Sequence, residues 1–223
     1  MIGTPRVHWR RTDSTNERAR ELAAAGAPHG TLVTAGEQTA GRGRQGRAWT
    51  APPGSAVLMS LVLRELHETL PLAAAVAVCD AIPLDCRIKW PNDVCAERRK
   101  LAGVLVEGRP QEGWAVLGIG LNVTAKEFPA KLRDTATSLV REGVEAGTEQ
   151  VLLDVVAALE QRLGQDAGAI LAAWRERDAL LGRRVRWDGG EGCGAGIDDS
   201  GALLVDTPRG RVTLDAGEVH LLG

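Results

Sequence analysis

Short apolar runs separated by turn residues occupy the first half of the chain and predict strands. The clearest is Ala56–Leu63, where seven of eight side chains are apolar. A near-continuous apolar run of this length is typical of a strand buried on both faces. We predict strands over residues 7–10, 31–36, 56–63, 86–90, 101–107 and 114–123, with the strand at 101–107 as the hairpin partner of the strand at 86–90.

Helical patterns appear after the first strand and again in the second half of the chain. Ser14 and Glu17 have the Ser-x-x-Glu spacing of a capping box, which predicts a helix start and gives Ser14 a purely structural role. A helix N-terminus also presents free N–H groups that can hold a ligand, so both interpretations of Ser14 stay open. We predict helices over residues 14–25, 71–82, 148–163 and 169–181.

Beyond Gly182 the pattern changes to closely spaced short strands. Gly or Asp turns separate them. Such spacing over about forty residues is typical of a small barrel. We predict strands at 183–187, 193–197, 202–206, 211–214 and 219–222, and a boundary between a first domain of residues 1–181 and a second of residues 182–223.

Composition excludes several classes of protein. The chain has 223 residues, 44% apolar and 25% charged, with a net charge of −2, so overall charge does not favour nucleic acid or an anionic membrane. The four cysteines show neither zinc-ligand spacing nor a disulfide framework. The N-terminus lacks the apolar core of a signal peptide, and no apolar run is long enough to span a bilayer. We expect a cytoplasmic protein with reduced thiols.

The segment 41–47 carries the most distinctive chemistry. It holds three glycines and three arginines in seven residues, and no acidic residue occurs from Thr39 through Arg64. Glycine allows close approach of backbone to a ligand, and arginine offers a planar fork to phosphate or carboxylate. Because two predicted core strands flank this segment, which we call the Arg loop, we interpret it as a binding loop.

Two further polar clusters lie at strand ends, at residues 89–93 and 99–103. With the Arg loop they would form a positive, glycine-lined pocket with an amide and a carboxylate nearby, which suits a nucleotide triphosphate and its metal. Gly118-x-Gly120 is not followed by a predicted helix, so it does not indicate a dinucleotide-binding fingerprint.

Together these motifs resemble the biotin protein ligases over nearly the whole chain. The resemblance rests on five segments in the family's order: Asp13-Ser14-Thr15-Asn16, residues 38–49, Lys89-Trp90-Pro91-Asn92-Asp93, residues 99–107 and residues 118–123. It implies an α+β fold with a mixed or antiparallel central sheet flanked by helices, as in class II synthetases, followed by a small SH3-like β-barrel.

The resemblance also implies a two-step reaction. Biotin and ATP, with Mg²⁺, give biotinyl-5′-AMP and pyrophosphate, and a lysine of a biotin carboxyl carrier protein then receives the biotin. Lys100 and Arg44 are the implied catalytic residues. The implied biotin contacts are Ser14, Thr15, Asn16, Gln38, Gly41, Arg42, Gly43, Arg44, Lys100 and Gly103. The implied ATP or adenylate contacts are Arg44, Arg47, Trp49, Asn92, Lys100 and Asn122, and Asp93 and Asn122 are the implied metal ligands.

Several alternatives stay open at this point. Trp49 and Trp90 could be core residues, Asp93 could cap the turn after Pro91, and Lys89 is more readily explained as a solvated or structural charge than as a catalytic group. Among functions, a lipoate or octanoyl transferase shares the implied fold. A nucleic-acid-binding module using the loop arginines is disfavoured by the overall acidity and the lack of interleaved aromatic residues.

The resemblance sets expectations for assembly as well. Since the first catalytic strand begins by Val7, we expect a monofunctional ligase without a DNA-binding domain. We expect no membrane partner, and a monomer or weak homodimer.

Overall fold

Two sheets and four helices make up the structure, a computed structural model that describes residues 1–66 and 69–222. The first sheet contains β1 (Arg6–Trp9), β2 (Leu32–Ala35), β3 (Ala56–Leu63), β4 (Cys86–Lys89), β5 (Asp93–Ala96), β6 (Arg99–Arg109) and β7 (Trp114–Asn122). The helices are α1 (Thr15–Ala24), α2 (Leu70–Asp80), α3 (Thr148–Leu163) and α4 (Ala167–Arg175). The second sheet contains β8 (Arg184–Trp187), β9 (Gly190–Ile197), β10 (Leu203–Thr207), β11 (Gly210–Leu214) and β12 (His220–Leu221).

The first sheet has seven strands in the order β1-β2-β3-β7-β6-β5-β4. Only β1 and β2 pair in parallel, and every other neighbouring pair is antiparallel. The second sheet is antiparallel throughout, in the order β11-β10-β9-β8-β12. This mixed α+β architecture confirms the predicted fold class.

The helices lie on both faces of the first sheet. The main core contains α2, α3 and α4 side chains together with one face of the sheet, and it continues into the second sheet through residues such as Val185 and Leu203. A smaller core on the opposite face packs α1 against β2, β3 and β7 through Ala19, Val33 and Val62. Because α1 covers only part of that face, the remainder is available for a site.

Small side chains let α2 lie at the centre of the main core. All its residues from Leu72 to Cys79 are buried, and five of these eight are Ala or Cys. A helix that is apolar on every side is stable only when other elements surround it.

Trp90 is also part of the core. It is 3% exposed and donates its indole N–H to Gly201 O at 3.0 Å, which joins the end of β4 to the second sheet. The core interpretation of Trp90 is therefore confirmed.

Two predictions about local structure are wrong. The hairpin partner of β4 is β5, a strand that was not predicted, and β6 instead pairs with β5 and β7. A four-residue strand starting inside a turn motif carries too little periodicity to be seen. The last helix ends at Arg175 rather than near residue 181.

The shorter helix has a tertiary cause. Ile88 of β4 donates its N–H to Arg177 O and accepts from Ala179 N, so the chain after α4 covers the outer edge of β4. Pairing to an open strand edge satisfies backbone groups that would otherwise be exposed.

Among the described residues no helix has both the length and the apolar character needed to cross a bilayer.

The structure bears on the two open interpretations of Ser14. It occupies the N-cap position of α1, but its side chain makes no capping bond. Instead, the Thr15 N–H donates to Gln38 Oε1 at 2.7 Å, so a residue from the loop after β2 caps the helix. The Ser14 hydroxyl is thereby left for another partner.

Candidate functional site

A row of aligned residues crosses the face of the first sheet that α1 leaves uncovered. Strand register places Leu58, Gly120, Gly103, Asp93 and Lys89 side by side on β3, β7, β6, β5 and β4. The two central positions are glycines, so the sheet surface is lowered there. A cavity of about 380 Å³ lies above it.

Trp49 lies directly on this glycine floor. A Cβ added to Gly120 would overlap Cε2 of the Trp49 ring and lie 2.8 Å from its Cζ2, and one added to Gly103 would lie 3.3 Å from Cζ3. Any larger side chain at either position would therefore displace the indole. Within the described structure the Trp49 Nε1 is buried without a hydrogen-bond partner, so the ring offers an unused donor inside the pocket.

A buried polar cluster forms one end of the pocket, at the N-terminus of α1. Ser14, Thr15 and Asn16 are 3–4% exposed, and Ser60 is fully buried beneath them. Ser60 Oγ lies 2.8 Å from Thr15 Oγ1 and 2.6 Å from Asn16 Oδ1.

Neighbouring residues hold this polar cluster in place. Thr15 Oγ1 donates to Gln38 Oε1 at 3.0 Å, and Asn16 Nδ2 donates to Glu107 Oε2 at 2.8 Å. Gly118 allows the arrangement, because a Cβ there would lie 2.9 Å from Asn16 Cγ. The cluster is thus a preorganised set of hydroxyl and amide groups, suited to a ligand end that both donates and accepts hydrogen bonds.

The three arginines of the Arg loop have different partners. Arg42 reaches Glu17 at 2.9 Å and Glu107 at 3.0 Å, so its guanidinium binds two carboxylates of the protein. Arg47 binds Glu218 at 2.5 Å, near β12 of the second sheet. These two arginines attach the loop to the body of the protein.

Arg44 differs from the other two. It donates to Asn92 Oδ1 at 3.2 Å, and no carboxylate of the described residues lies within ion-pairing distance of it. Burial lowers the pKa of its guanidinium from the usual value, although arginine stays charged in proteins. Arg44 is therefore the loop arginine that is free to bind an anion.

Lys100 and Asp93 form the charged centre of the pocket. Lys100 Nζ lies 2.6 Å from Asp93 Oδ1 and 5.7 Å from the centre of the Trp49 ring. The carboxylate and the ring together fix the position of the ammonium group above Gly103, where a Cβ would lie 3.1 Å from Nζ. A positive charge is thereby held at the middle of the cavity.

Two asparagines and a cysteine complete the polar lining. Asn92 donates from its side-chain amide to Val104 O, which holds it against β6. Asn122 is 3% exposed and donates to Thr137 O at 2.9 Å, while its Oδ1 has no partner in the described residues. Burial raises the pKa of the Cys95 thiol to about 12, so this thiol is neutral and a poor nucleophile.

The fold brings nearly all the predicted ligand contacts together. Gly41 does not line the pocket; it accepts from Trp49 N at 2.9 Å and so stabilises the loop itself. The lining includes all the others: Ser14, Thr15, Asn16, Gln38, Arg42, Gly43, Arg44, Arg47, Trp49, Asn92, Asp93, Lys100, Gly103 and Asn122.

Several contributors were missed by sequence reasoning. Lys89 and Arg98 line the pocket, Ser60 orders the polar cluster, and Gly118 and Gly120 supply part of the floor. The Gly-x-Gly spacing within a strand was the available signal, because alternate residues of a strand share one face. No sequence signal identifies Ser60, whose neighbours are distant in the chain.

Comparison with known proteins places this geometry in a family. Residues 9–123 match the Biotin/lipoate A/B protein ligase family, and residues 180–222 match the Biotin protein ligase C terminal domain. The chain is 37% identical to the biotin–[acetyl-CoA-carboxylase] ligase of Mycobacterium tuberculosis, covering 96% of this chain and 90% of that protein.

Two further proteins are similar over most of their length. The bifunctional ligase/repressor BirA of Bacillus subtilis is 36% identical, covering 99% of this chain and 75% of that protein. The biotin protein ligase from Aquifex aeolicus, solved in complex with biotin and ATP, superposes with a TM-score of 0.85 at 30% identity and covers 98% of this chain and 99% of that one.

We predict that Gly120→Ala destabilises the protein through Trp49. Because the added Cβ would lie 2.8 Å from Cζ2 of the ring, we expect a loss of about 1–3 kcal/mol in the free energy of unfolding. Urea denaturation measures this loss. In a Trp49→Ala background the same substitution should cost much less, giving a non-additive double-mutant cycle.

Gly147→Ala is the matched control, since a Cβ at that position meets no described atom within 4 Å. An equal cost of Gly120→Ala with and without Trp49 would show that the indole does not depend on the glycine floor.

Proposed function

The chain belongs to the biotin/lipoate A/B protein ligase family, and from this we propose that it activates biotin with ATP and transfers it to a lysine of a biotin carboxyl carrier protein. The protein would thus be an ATP-dependent, AMP-forming ligase. Its proposed substrates are biotin, ATP and the carrier protein. The similarity to ligases named for biotin, over nearly the full chain, supports this assignment.

The polar end of the pocket favours biotin over lipoate as the ligand. Biotin ends in a ureido ring with N–H donors and a carbonyl acceptor, whereas lipoate ends in a dithiolane ring with neither. Ser14, Thr15 and Asn16 are nearly fully buried at that end. A dithiolane ring there would leave buried polar groups unpaired, and a site built for hydrogen bonding rejects such an analogue strongly.

The first step joins two anionic groups. A biotin carboxylate oxygen attacks the α-phosphorus of ATP, the bond from that phosphorus to the bridging oxygen breaks, and pyrophosphate leaves with the electron pair. Repulsion between unit charges at ~4 Å is on the order of 4 kcal/mol at an effective dielectric near 20. We propose that Lys100, held by Asp93 at 2.6 Å, lies between the two groups and reverses the sign of this interaction.

The remaining contacts divide between the two ends of the ligand. We propose that Ser14, Thr15, Asn16, Gln38, Gly43 and Gly103 surround the biotin ring, and that Trp49, Asn92 and Asn122 serve the adenylate. Gly41, Arg42 and Arg47 would act indirectly by holding the loop, since Arg42 is bound to two carboxylates and Arg47 to Glu218.

Arg44 would close the pocket over the intermediate. An acyl-adenylate must be shielded from water, and a glycine-containing loop with one free arginine can provide that shield. The absence of a carboxylate partner for Arg44 within the described residues supports a contact to the phosphate of biotinyl-5′-AMP.

Magnesium fits the donor atoms of this pocket only as an ion shared with phosphates. The described residues contain no group of three or more His, Cys, Asp or Glu side chains that could hold a metal. Asp93 and the unpartnered Asn122 Oδ1 are hard oxygen donors, and Mg²⁺ is often bound by one or two such groups plus substrate phosphates. When bound, it would neutralise phosphate charge.

The second step needs access to the carrier lysine. Its amine attacks the acyl carbon of biotinyl-5′-AMP, the mixed anhydride bond breaks, and AMP leaves as the biotin amide forms. We propose that residues 1–181 perform both steps as a catalytic domain. Residues 182–223 would form the second domain, which contacts the Arg loop through Glu218.

ATP–pyrophosphate exchange tests the proposed function. Purified protein should incorporate labelled pyrophosphate into ATP when biotin is present and not when lipoate replaces it, because the ring site requires hydrogen-bonding partners. Mass spectrometry of a biotin carboxyl carrier domain should then show one added biotin. Exchange driven by lipoate, with none driven by biotin, would assign the protein to the lipoate-activating members of the family, and exchange with neither acid would favour an acyl transferase that uses no ATP.

Lys100→Met should separate binding from chemistry. Loss of one preorganised charge contact lowers the rate of adenylation roughly 10²–10³-fold. Biotin affinity, measured by calorimetry, should stay within a small factor, since the ring is bound elsewhere. Lys126→Met, an exposed lysine outside the pocket, is the control. An unchanged rate of pyrophosphate release in Lys100→Met would remove Lys100 from the mechanism.

Arg44→Gly should release the intermediate prematurely. We expect labelling of a bystander protein such as serum albumin by free biotinyl-5′-AMP, detected with streptavidin, while adenylation continues. The loss of the loop's phosphate contact is the physical cause. Arg209→Gly, in the exposed turn between β10 and β11, should label only the carrier. If Arg44→Gly is equally selective, the retention role is wrong.

A further inference from the structure

The pocket is lined by six cationic side chains and one carboxylate, and three of the cations have no carboxylate partner. Arg42, Arg47 and Lys100 are each ion-paired with protein carboxylates. Arg44, Lys89 and Arg98 are not, in the part of the chain that the structure describes. Apart from the ion-paired residues, the pocket therefore has three positive charges that no carboxylate of the described residues compensates.

Strand register explains why Lys89 belongs to the pocket. It pairs with Asp93, which pairs with Gly103, which pairs with Gly120, so Lys89 ends the row that forms the floor. Its side chain is half-buried, and the adjacent Asp93 carboxylate is already bound to Lys100. Lys89 therefore lines the pocket without a carboxylate partner among the described residues.

Arg98 reaches the same cavity from a different element. It lies in the tight turn between β5 and β6, next to Glu97, whose φ of 52° is in the left-handed region. Arg98 is an exposed residue that also contributes to the pocket lining, two residues before Lys100. The turn therefore presents a second free cation on the side of the pocket where β5 and β6 meet.

Uncompensated like charges in one cavity repel each other, and a polyanionic ligand removes that repulsion. Biotin contributes a single carboxylate, which the Lys100 position already accommodates. A chain of phosphates is the ligand class with enough negative charge for the remaining cations, and guanidinium and ammonium groups form strong charge-assisted bonds to phosphate oxygens.

We propose that Lys89 and Arg98 bind the outer two phosphates of ATP and hold the departing pyrophosphate. The assignment rests on the proposed adenylation of biotin. In that step the bond between the α-phosphorus and the bridging oxygen breaks, and negative charge grows on the pyrophosphate. Lys89 and Arg98 stabilise that charge, while Lys100 acts at the α-phosphate and Arg44 stays with the adenylate.

This role predicts that substitutions at Lys89 and Arg98 affect the two half-reactions differently. ATP and pyrophosphate contain the outer phosphates, whereas biotinyl-5′-AMP does not. Removing Lys89 or Arg98 should therefore weaken ATP-dependent steps and leave transfer from supplied biotinyl-5′-AMP unchanged. A general structural defect would reduce both half-reactions.

The experiment compares Lys89→Met, Arg98→Gln and the double variant in two assays at fixed magnesium. In pyrophosphorolysis of biotinyl-5′-AMP, each single variant should raise the KM for inorganic pyrophosphate about 10-fold, the size expected for one charge-assisted contact that is partly exposed to solvent. Transfer of biotin from supplied biotinyl-5′-AMP to the carrier should keep its kcat and its KM for the carrier.

Matched controls are Lys126→Met and Arg183→Gln, two exposed cations outside the pocket, which should change neither assay. The conservative variants Lys89→Arg and Arg98→Lys should recover most of the pyrophosphate affinity. Rescue by charge distinguishes phosphate binding from side-chain packing.

The outcomes separate this inference from the proposed function. If wild type exchanges pyrophosphate with biotin but neither variant alters the KM for ATP or pyrophosphate, the phosphate role is overturned and the ligase assignment stands. Equal loss in both half-reactions, or a raised KM for the carrier alone, also overturns it. If wild type forms no biotinyl-5′-AMP, the proposed function itself fails.

Discussion

The site depends on two glycines that face each other across β6 and β7. Gly103 and Gly120 are paired in register, and their lack of Cβ atoms lets the Trp49 ring rest on the sheet. Because Lys100 contacts that ring and Asp93 lies in the same row, the position of the central positive charge also depends on the low floor. A steric constraint of a few ångströms therefore determines where the electrostatic centre of the pocket lies.

Ion pairing gives similar side chains different roles. Arg42, Arg44 and Arg47 are the same residue type in one short segment, but Glu17 of α1 and Glu107 of β6 bind Arg42, and Glu218, which precedes β12, binds Arg47. Arg44 is left with an amide partner. Lys89 and Arg98 are likewise free to bind an anion, because Asp93, the carboxylate that lines the pocket, is bound to Lys100. Charges of one type thus have either structural or ligand-binding roles according to whether an acid lies within reach.

Contacts between the two sheets connect the site to the rest of the molecule. Trp90 follows β4 and donates to Gly201 in the turn between β9 and β10, and Arg47 of the Arg loop binds Glu218. The first contact is partly buried and the second is an exposed ion pair, so the second is the weaker of the two. The contact with Glu218 can therefore help to order the loop without holding it rigidly.

The sequence by itself determined most of the strands and helices, because these depend on periodicity, and the resemblance of five short segments to the biotin protein ligases supplied the fold class and nearly the whole list of pocket residues. Tertiary structure decided which cations are free, that Gln38 rather than Ser14 caps α1, and that Lys89 faces the cavity. It also ended the last helix at Arg175, where the chain turns to pair with β4. These outcomes depend on strand register and on partners distant in the chain, and local sequence patterns carry no information about either.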